Sequence, residues 1–229
     1  MEEVINGDLT RYVSVATGEL AWAPSPSGTV FRKRIHLVGP PESGQVTSVV
    51  RYEADSSFPS HEHPDGEEIL VLDGVFSDEY GDWPEGAFLL NPDGFRHAPF
   101  STAGCVLLVK LRQYPGEDRI HVALDTAALP WTPSARPGVA SKTLYEQSGF
   151  NDTIRLERWG AGTAPGVVSY AEGAELFVMT GTFTDEHGAH GPGTWCRFPA
   201  GSRHDPRTAT GCELYVKEGG LIYLESRPA

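Results

Sequence analysis

The sequence predicts an all-β protein that contains two copies of one antiparallel β-barrel or sandwich of the jelly-roll type. Glycine (26 residues) and proline (18 residues) occur in short turn-like groups along the 229 residues, which is typical of many short strands. The segments between these turns, such as VTSVVRYEA and CVLLVKLRQY, are rich in the aliphatic and aromatic residues that favour strands. A long internal repeat supplies the two copies.

The repeat has an offset of 107 residues. DGEEILVLDGVFSDEYG, which starts at Asp65, aligns with EGAELFVMTGTFTDEHG, which starts at Glu172, and 19 of the 46 positions between residues 65 and 110 are identical without a gap. Such self-similarity indicates a tandem duplication. We therefore expect an N-terminal segment at residues 1–20, a first domain at 21–120 and a second domain at 121–229.

Composition narrows the class of partner. The net charge of −13 and the pI near 5.0 argue against nucleic acid and against an anionic membrane surface. No signal-peptide pattern is visible, and no apolar run approaches the ~18 residues of a membrane helix. We expect a cytoplasmic monomer or homodimer whose partner is a small-molecule substrate.

The cysteines lack CxxC spacing and should pack as small apolar side chains; they are Cys105, Cys196 and Cys212.

The stretch HEHPDGEE, which begins at His61, places two histidines and two adjacent glutamates around one predicted bend, and such side chains are energetically unfavourable to bury. On a strand, residues i and i+2 point to the same side, so His61 and His63 can present both imidazoles to one point. The Pro-Asp-Gly sequence then turns the chain. Glu67 and Glu68 must point to opposite faces of the next strand, so only one of these carboxylates can join the histidines.

A third histidine, His97, ends the segment GAFLLNPDGFRH. Its glycines and proline predict a strand and a tight turn that return His97 to the same interior. Three imidazoles and one carboxylate are suitable ligands for iron, zinc, manganese, copper or nickel. A metal would also explain why such groups lie inside a barrel, since unpaired buried charge is expensive.

These motifs resemble the two motifs of the cupin superfamily. The first, G-x5-H-x-H-x3,4-E-x6-G, corresponds to residues Asp55 to Gly74, with aspartate in place of the opening glycine. The second, G-x5-P-x-G-x2-H-x3-N, corresponds to residues Gly86 to Ser101, with serine in place of the closing asparagine. The positions of the metal ligands match, and two peripheral positions do not.

The closer resemblance is to ChrR-like cupins, because H-x-H-x-x-G-E-E followed by V-L-x-G-x-F-x-D-E-x-G is reproduced from His61 to Gly81. It covers both repeats and implies a tandem double-stranded β-helix, a bicupin. It also implies one divalent metal, Fe(II) or Zn(II), and places the ligand glutamate four residues after the second histidine. The ligands that it implies are His61, His63, Glu67 and His97.

The second repeat lacks most of this site. At the offset of 107, the four ligand positions become Val168, Tyr170, Ala174 and His204. A lone histidine does not hold a divalent metal against water, so we expect His204 to be a hydrogen-bonded interior residue. A second metal site that combines His204 with His187 and His190 stays open as an alternative. Polar residues that recur in both repeats are predicted to serve the scaffold, and they include Asp78, Glu79, Asp185 and Glu186.

The resemblance to ChrR-like cupins implies a non-haem iron dioxygenase that acts on a small ketone, diketone or phenolic ketone. In such an enzyme Glu67 could also act as a catalytic base. Tyr52, Phe58 and Phe88 are candidates for the pocket wall.

Two other functions stay open. One is a zinc-binding regulatory or sensor cupin, although residues 1–20 contain no His or Cys and do not match the N-terminal zinc-binding domain through which ChrR acts on a sigma factor. The other is a non-redox, metal-dependent isomerase or cyclase.

Overall fold

The structure, a computed structural model, describes residues 3–227 and confirms the all-β class. The strands of the first half of the chain are β1 (Glu3–Ile5), β2 (Val13–Ala16), β3 (Ala23–Pro24), β4 (Val30–Gly39), β5 (Gln45–Tyr52), β6 (Ser56–Ser57), β7 (His61–His63), β8 (Glu67–Asp78), β9 (Gly81–Pro84), β10 (Ala87–Asn91), β11 (Phe95–His97), β12 (Phe100–Ser101), β13 (Cys105–Leu111) and β14 (Val122–Asp125).

The second half of the chain repeats this series of short strands. They are β15 (Thr132–Pro133), β16 (Val139–Glu146), β17 (Thr153–Trp159), β18 (Val168–Tyr170), β19 (Ala174–Gly181), β20 (Phe183–Asp185), β21 (Gly188–His190), β22 (Thr194–Phe198), β23 (Ser202–His204) and β24 (Cys212–Glu218). The helices of the described residues are short 3-10 turns at Thr17–Glu19, Thr126–Ala128 and Gly220–Tyr223.

Two compact units divide the chain, and their boundaries differ from the predicted domains. The first unit contains Leu20–Ala128 together with residues 3–7 and 223–227. The second contains Asp8–Glu19 and Leu129–Ile222. The predicted N-terminal segment is thus shared between the units, and residues 121–128 belong to the first one. A repeat offset identifies corresponding segments, but it does not show which sheet an edge strand joins, because that pairing is long-range.

The first unit is built on an antiparallel sheet in the order β1-β4-β5-β13-β8-β10-β14. A separate two-stranded sheet pairs β7 with β11. Apolar side chains of alternate strand positions form the core of this unit; they include Val50, Ile69, Val71, Leu89, Cys105 and Leu107. The sheet therefore supplies an apolar interior, and β7 and β11 add the predicted histidines.

The second unit has the equivalent sheet, in the order β15-β16-β17-β24-β19-β22-β2, and the equivalent pair β18-β23. Its own core includes Trp159, Leu176, Phe183, Cys196, Cys212 and Leu214. All three cysteines are free and buried, as the sequence predicts. The tandem double-stranded β-helix is thereby confirmed in both units.

Candidate metal centre

The predicted histidines lie on the paired strands β7 and β11. His61 is directly opposite His97 in this antiparallel register, and His63 is opposite Phe95. Residues i and i+2 of β7 share one face, so both of its histidines lie beside His97. His97 and His63 are buried, whereas His61 is half-buried.

A tight turn joins β7 to β8 and places the glutamate. The amide of Gly66 donates to the carbonyl of His63 at 3.1 Å, and Asp65 has a φ of 53°. Pro64 at the second position and a positive φ at the third are typical of a type II turn. Gly66 also has a positive φ, and a Cβ there would lie 2.8 Å from the carbonyl oxygen of Asn91. The turn thus requires glycine immediately before the first residue of β8.

That first residue is Glu67, and its carboxylate faces the histidines. Its Oε2 lies 3.4 Å from the Nε2 atoms of both His63 and His97, and the side-chain amide of Asn91 donates to the same oxygen at 3.0 Å. Glu68 takes the opposite face of the strand, where the Tyr114 hydroxyl donates to it. The two carboxylates therefore lie on opposite faces of β8, and only that of Glu67 is beside the histidines.

The three histidines form a cluster that could hold a metal ion. The Nε2 atoms of His63 and His97 are 2.9 Å apart, and one ligand atom from each of His61, His63 and His97 lies within 4.8 Å of the others. Among residues 3–227, no other group of three or more His, Cys, Asp or Glu residues meets that distance. The structure thus brings together all four of the residues implied by the sequence.

Hydrogen bonds fix which nitrogens face the cluster. His61 Nδ1 lies 2.9 Å from the carbonyl oxygen of Pro59, and His97 Nδ1 lies 3.0 Å from Oδ2 of Asp78. Both oxygens can only accept, so each Nδ1 carries the proton. In the neutral rings of His61 and His97, Nε2 is then the nitrogen with the lone pair that metal ligation requires.

Asp78 is a functional residue that the sequence analysis assigned to the scaffold alone. Its Oδ1 does accept from the amides of Tyr80 and Gly81 and from the indole of Trp83, which is the predicted turn role. Its Oδ2 in addition orients His97. A carboxylate that orients a histidine ligand is a common partner of metal sites. The recurrence of an Asp-His pair at the same spacing in both repeats was the available signal.

Burial and neighbouring charges shift the pKa values of the buried groups. Burial lowers the pKa of His63; the charge of Glu67 opposes this shift, and the charges of His97, His61 and Arg112 add to it. Burial also disfavours a charged His97, but its hydrogen bond to Asp78 and the nearby carboxylates raise its pKa. Burial raises the pKa of Asp78, but its hydrogen bonds from His97 and Trp83 outweigh this and lower it. The neutral form that binds a metal is thus favoured at His63.

A cavity of about 390 Å³ adjoins the cluster, and its wall includes His61, His63 and Glu67. Tyr52 and Phe58 line it, as predicted, together with aliphatic side chains of the core. The wall combines these apolar side chains with a smaller number of charged and polar ones, which is the usual form of a ligand site.

Phe88, the third candidate for the pocket wall, does not line this cavity and is a core residue instead, which is the commoner role of an aromatic residue on a strand. It lies on β10 between Ala87 and Leu89, which belong to the core. Successive residues of a strand point to opposite faces, and Phe88 is therefore buried on the other side of the sheet.

A model of a known protein family matches both halves of the chain. The family model of the ChrR cupin-like domain matches residues 10–115 and again residues 119–222. The chain belongs to this family. The two matches confirm the tandem resemblance that the motifs indicated, and they identify each unit of the structure as one ChrR-like cupin.

Solved structures share the cupin fold across most of the chain. A candidate dioxygenase from Nostoc punctiforme is 17% identical, with a TM-score of 0.75 over 96% of this chain and 88% of that one. The bacterial pirin of Escherichia coli in complex with nickel(II) is 15% identical, with a TM-score of 0.66 over 91% and 97%. A deletion mutant of Bacillus subtilis oxalate decarboxylase is 12% identical, with a TM-score of 0.63 over 95% and 79%.

At these identities the structures establish the fold alone. A comparison with curated protein sequences finds no significant match. Within the part of the chain that the structure describes, no helix has the length and apolar character needed to cross a membrane.

The second cupin unit keeps the Asp-His pair of the first. His204 lies opposite Val168 on the pair β18-β23. Its Nδ1 is 2.9 Å from Oδ2 of Asp185, and its Nε2 is 3.2 Å from the hydroxyl of Tyr170. The carboxylate accepts a hydrogen bond from Nδ1–H and the hydroxyl donates to Nε2, so both ring nitrogens are paired with protein groups. His204 is the hydrogen-bonded interior residue that the sequence predicts.

His187 and His190 do not join His204 in a metal-binding group within residues 3–227. His190 donates instead to Oδ1 of Asp185 at 2.9 Å, and the ring of His187 stacks on Tyr12 with centroids 3.7 Å apart. Burial opposes a charged His190, but its hydrogen bonds to Asp185 and Cys196 raise its pKa to about 9. A protonated imidazole cannot bind a metal through its nitrogens, so the alternative second site loses its support.

Proposed function

We propose that this ChrR-like bicupin is a non-haem iron dioxygenase that acts on a small ketone, diketone or phenolic ketone. One Fe(II) ion would be held in the first unit by His61, His63, Glu67 and His97. The observation that carries the proposal is the close approach of the His63 and His97 Nε2 atoms, 2.9 Å apart, at the wall of an apolar cavity.

The donor set fits one first-row metal ion. Two ligand atoms that each lie about 2.1 Å from a metal are about 3.0 Å apart at a right angle and about 3.4 Å apart at the tetrahedral angle. The two Nε2 atoms of His63 and His97 are 2.9 Å apart, and Oε2 of Glu67 is 3.4 Å from each. A shared proton or a metal cation can satisfy two facing nitrogens, and the Glu67 carboxylate beside both adds a third donor that suits a metal cation.

Bound Fe(II) would supply electrons for reaction with O2 and would polarise the carbonyl oxygens of the substrate. The chain's own residues would do the remaining work. Glu67 is positioned to accept a proton from the carbon next to the substrate carbonyl, and the Asn91 amide holds its Oε2 in place. Asp78 holds the His97 ring in its orientation. The walls formed by Tyr52 and Phe58 would exclude water from the reacting atoms.

The comparisons favour a metal-dependent enzyme. The candidate dioxygenase from Nostoc punctiforme and the pirin that binds nickel(II) have the same fold. The ligand set by itself also suits zinc, manganese or nickel, so the metal has to be identified by experiment.

The test combines metal analysis with oxygen uptake. Protein purified without added metal is analysed for its elements, stripped with a chelator, reloaded with Fe(II) or Zn(II), and given pentane-2,4-dione and other small diketones. We expect O2 uptake by the Fe(II) form alone, with both atoms of 18O2 in the cleavage products. His204→Ala is the matched control and should behave as the wild type. Zinc as the sole metal in the isolated protein, with no uptake after Fe(II) loading, would overturn the proposal.

A further inference from the structure

Arg112 is an arginine of the cavity wall whose guanidinium has no carboxylate partner among residues 3–227. It follows β13 directly and lines the cavity. The cavity's other arginine, Arg32, is paired with Glu42 at 2.7 Å, and Glu62 is paired with Arg96 at 3.0 Å. Among residues 3–227, the Arg112 side chain forms no ion pair or hydrogen bond. A half-buried guanidinium with five donors is thus left facing a cavity.

The backbone holds Arg112 beside the ligand glutamate. Its amide donates to the carbonyl of Gly66 at 3.0 Å, and the preceding residue, Leu111, is the cross-strand partner of Glu67. The φ of Arg112 is 59°, in the left-handed region that non-glycine residues avoid. Backbone strain of this kind clusters at binding sites.

The second unit shows what the backbone alone requires at this position. The equivalent residue is Gly219, with a φ of 73°, and its amide donates to the carbonyl of Gly173 at 3.1 Å. The unit without the histidine cluster therefore uses the residue that suits this conformation. The unit with the cluster and the cavity has an arginine there instead. The fold does not require that side chain, so its role is to be sought in the cavity.

The charge balance of the cavity favours an anion. Glu42 and Glu62 of the wall are each paired with an arginine. A divalent ion and Arg112 together outweigh the remaining carboxylate, that of Glu67, although the whole chain carries a net charge of −13. Guanidinium groups bind carboxylates through two parallel N–H···O hydrogen bonds. The remainder of the wall is largely apolar and suits a small organic body.

We propose that Arg112 binds a carboxylate of the substrate, so the substrate is a small ketone or diketone acid. Its carbonyl oxygens face the histidine cluster, and its carboxylate extends to Arg112. This inference rests on the proposed function, because it takes the metal end of the cavity as the place where the carbonyl groups bind.

The test uses a pair of probes that differ in charge. Protein loaded with Ni(II) is titrated calorimetrically with 2,4-dioxopentanoate and with its methyl ester, under nitrogen so that no O2 is present. Both probes carry the same diketone, but only the first has a carboxylate. We expect the acid to bind about 10- to 100-fold more tightly than the ester, the range for a charge-assisted bidentate contact.

Variants of Arg112 assign the preference to this residue. Arg112→Gly restores the residue of the second unit and removes the backbone strain, and Arg112→Asn is a second neutral variant that tolerates the left-handed region. Both should bind the acid and the ester equally and keep the metal content and melting temperature of the wild type. Arg32→Gln, whose partner Glu42 retains Arg34 at 3.0 Å, should keep the preference.

The two proposals fail in different ways. Equal binding of acid and ester by the metal-loaded wild type would overturn the role of Arg112, as would a preference for the acid that survives Arg112→Gly. Absence of a bound metal in the wild type would instead overturn the proposed function.

Discussion

The two units share one hydrogen-bonded Asp-His framework and differ in the side chain that faces Nε2 of its histidine. In the first, Asp78 accepts from His97 at 3.0 Å; in the second, Asp185 accepts from His204 at 2.9 Å. Both aspartates also accept from the amide two residues later. A side chain five residues later completes each turn, Trp83 in the first unit and His190 in the second. This framework therefore belongs to the fold and does not by itself make a metal site.

The difference lies at the other nitrogen of the ring. Nε2 of His97 faces Nε2 of His63 at 2.9 Å, whereas Nε2 of His204 faces the Tyr170 hydroxyl at 3.2 Å. A hydroxyl is a donor, so the second unit is satisfied with protein groups alone. Two imidazole nitrogens need a proton or a cation between them. Tyr170 stands where the first unit has His63, and Val168 and Ala174 occupy two further ligand positions. The comparison teaches that these substitutions leave His204 as a structural histidine.

Removal of the central histidine gives the largest expected difference between the units. His97→Ala should lower the metal affinity by more than the 10- to 100-fold that loss of an orienting partner costs, because it deletes a ligand. His204→Ala removes the equivalent side chain of the second unit and should leave one metal per chain. Elemental analysis after dialysis measures both.

Loss of metal from His204→Ala would show that the second unit takes part in binding. Full occupancy in His97→Ala would show that the cluster is not the site. Thermal unfolding with and without a chelator serves as the control, since metal bound to the folded state raises its stability.

Substitution of the orienting aspartates sharpens the comparison with a smaller effect. Asp78→Asn should lower metal affinity about 10- to 100-fold, because His97 loses its carboxylate partner. Asp185→Asn should leave metal affinity unchanged and instead destabilise the protein by about 2–4 kcal/mol, because two buried histidines lose a charged partner. Competition with a chromophoric chelator measures the affinities, and equal metal loss in the two variants would contradict the assignment.

The smallest expected effect is a pH dependence confined to the second unit. The pKa of His190 is raised to about 9 from an ordinary value of 6.5, so the folded state holds the proton more tightly than the unfolded chain. Its stabilising contribution is fully present below pH 6.5 and is lost as the pH rises through about 9. In chelator-treated protein, the melting temperature should fall over this window.

His190→Gln removes the titrating ring and should flatten that slope. Its melting temperature should lie below that of the wild type at pH 6 and approach it above pH 9. A slope unchanged by the substitution would assign the pH dependence to other groups.

Local rules were enough to predict the fold and most of the candidate site. Strand alternation placed His61 and His63 on one face and sent Glu67 and Glu68 to opposite faces, and the repeat located the unit that lacks the cluster. These features depend on neighbouring residues or on self-comparison of the chain. The role of His97 followed from the turn before it.

The remaining features depend on contacts that the sequence does not show. The orienting role of Asp78 requires the approach of a strand nineteen residues away. The sequence does not distinguish Arg112 from the other arginines. Its positive φ, its lack of an ion-pair partner and the equivalent glycine at residue 219 become visible only in the structure. The sheet that β2 or β14 joins is likewise decided by long-range pairing. The sequence could not separate Phe88, a core residue, from Tyr52 and Phe58, which line the cavity, because strand alternation does not show which face of a strand is the cavity face.

Anomalous X-ray diffraction from crystals of the protein, isolated without added metal, tests the central claim most directly. Data collected on both sides of the absorption edge of the metal identify the element and its position. We predict one anomalous peak per chain, bounded by His61, His63, Glu67 and His97, and none beside His204. A peak beside His204, or the absence of any peak among the four ligands, would contradict the account.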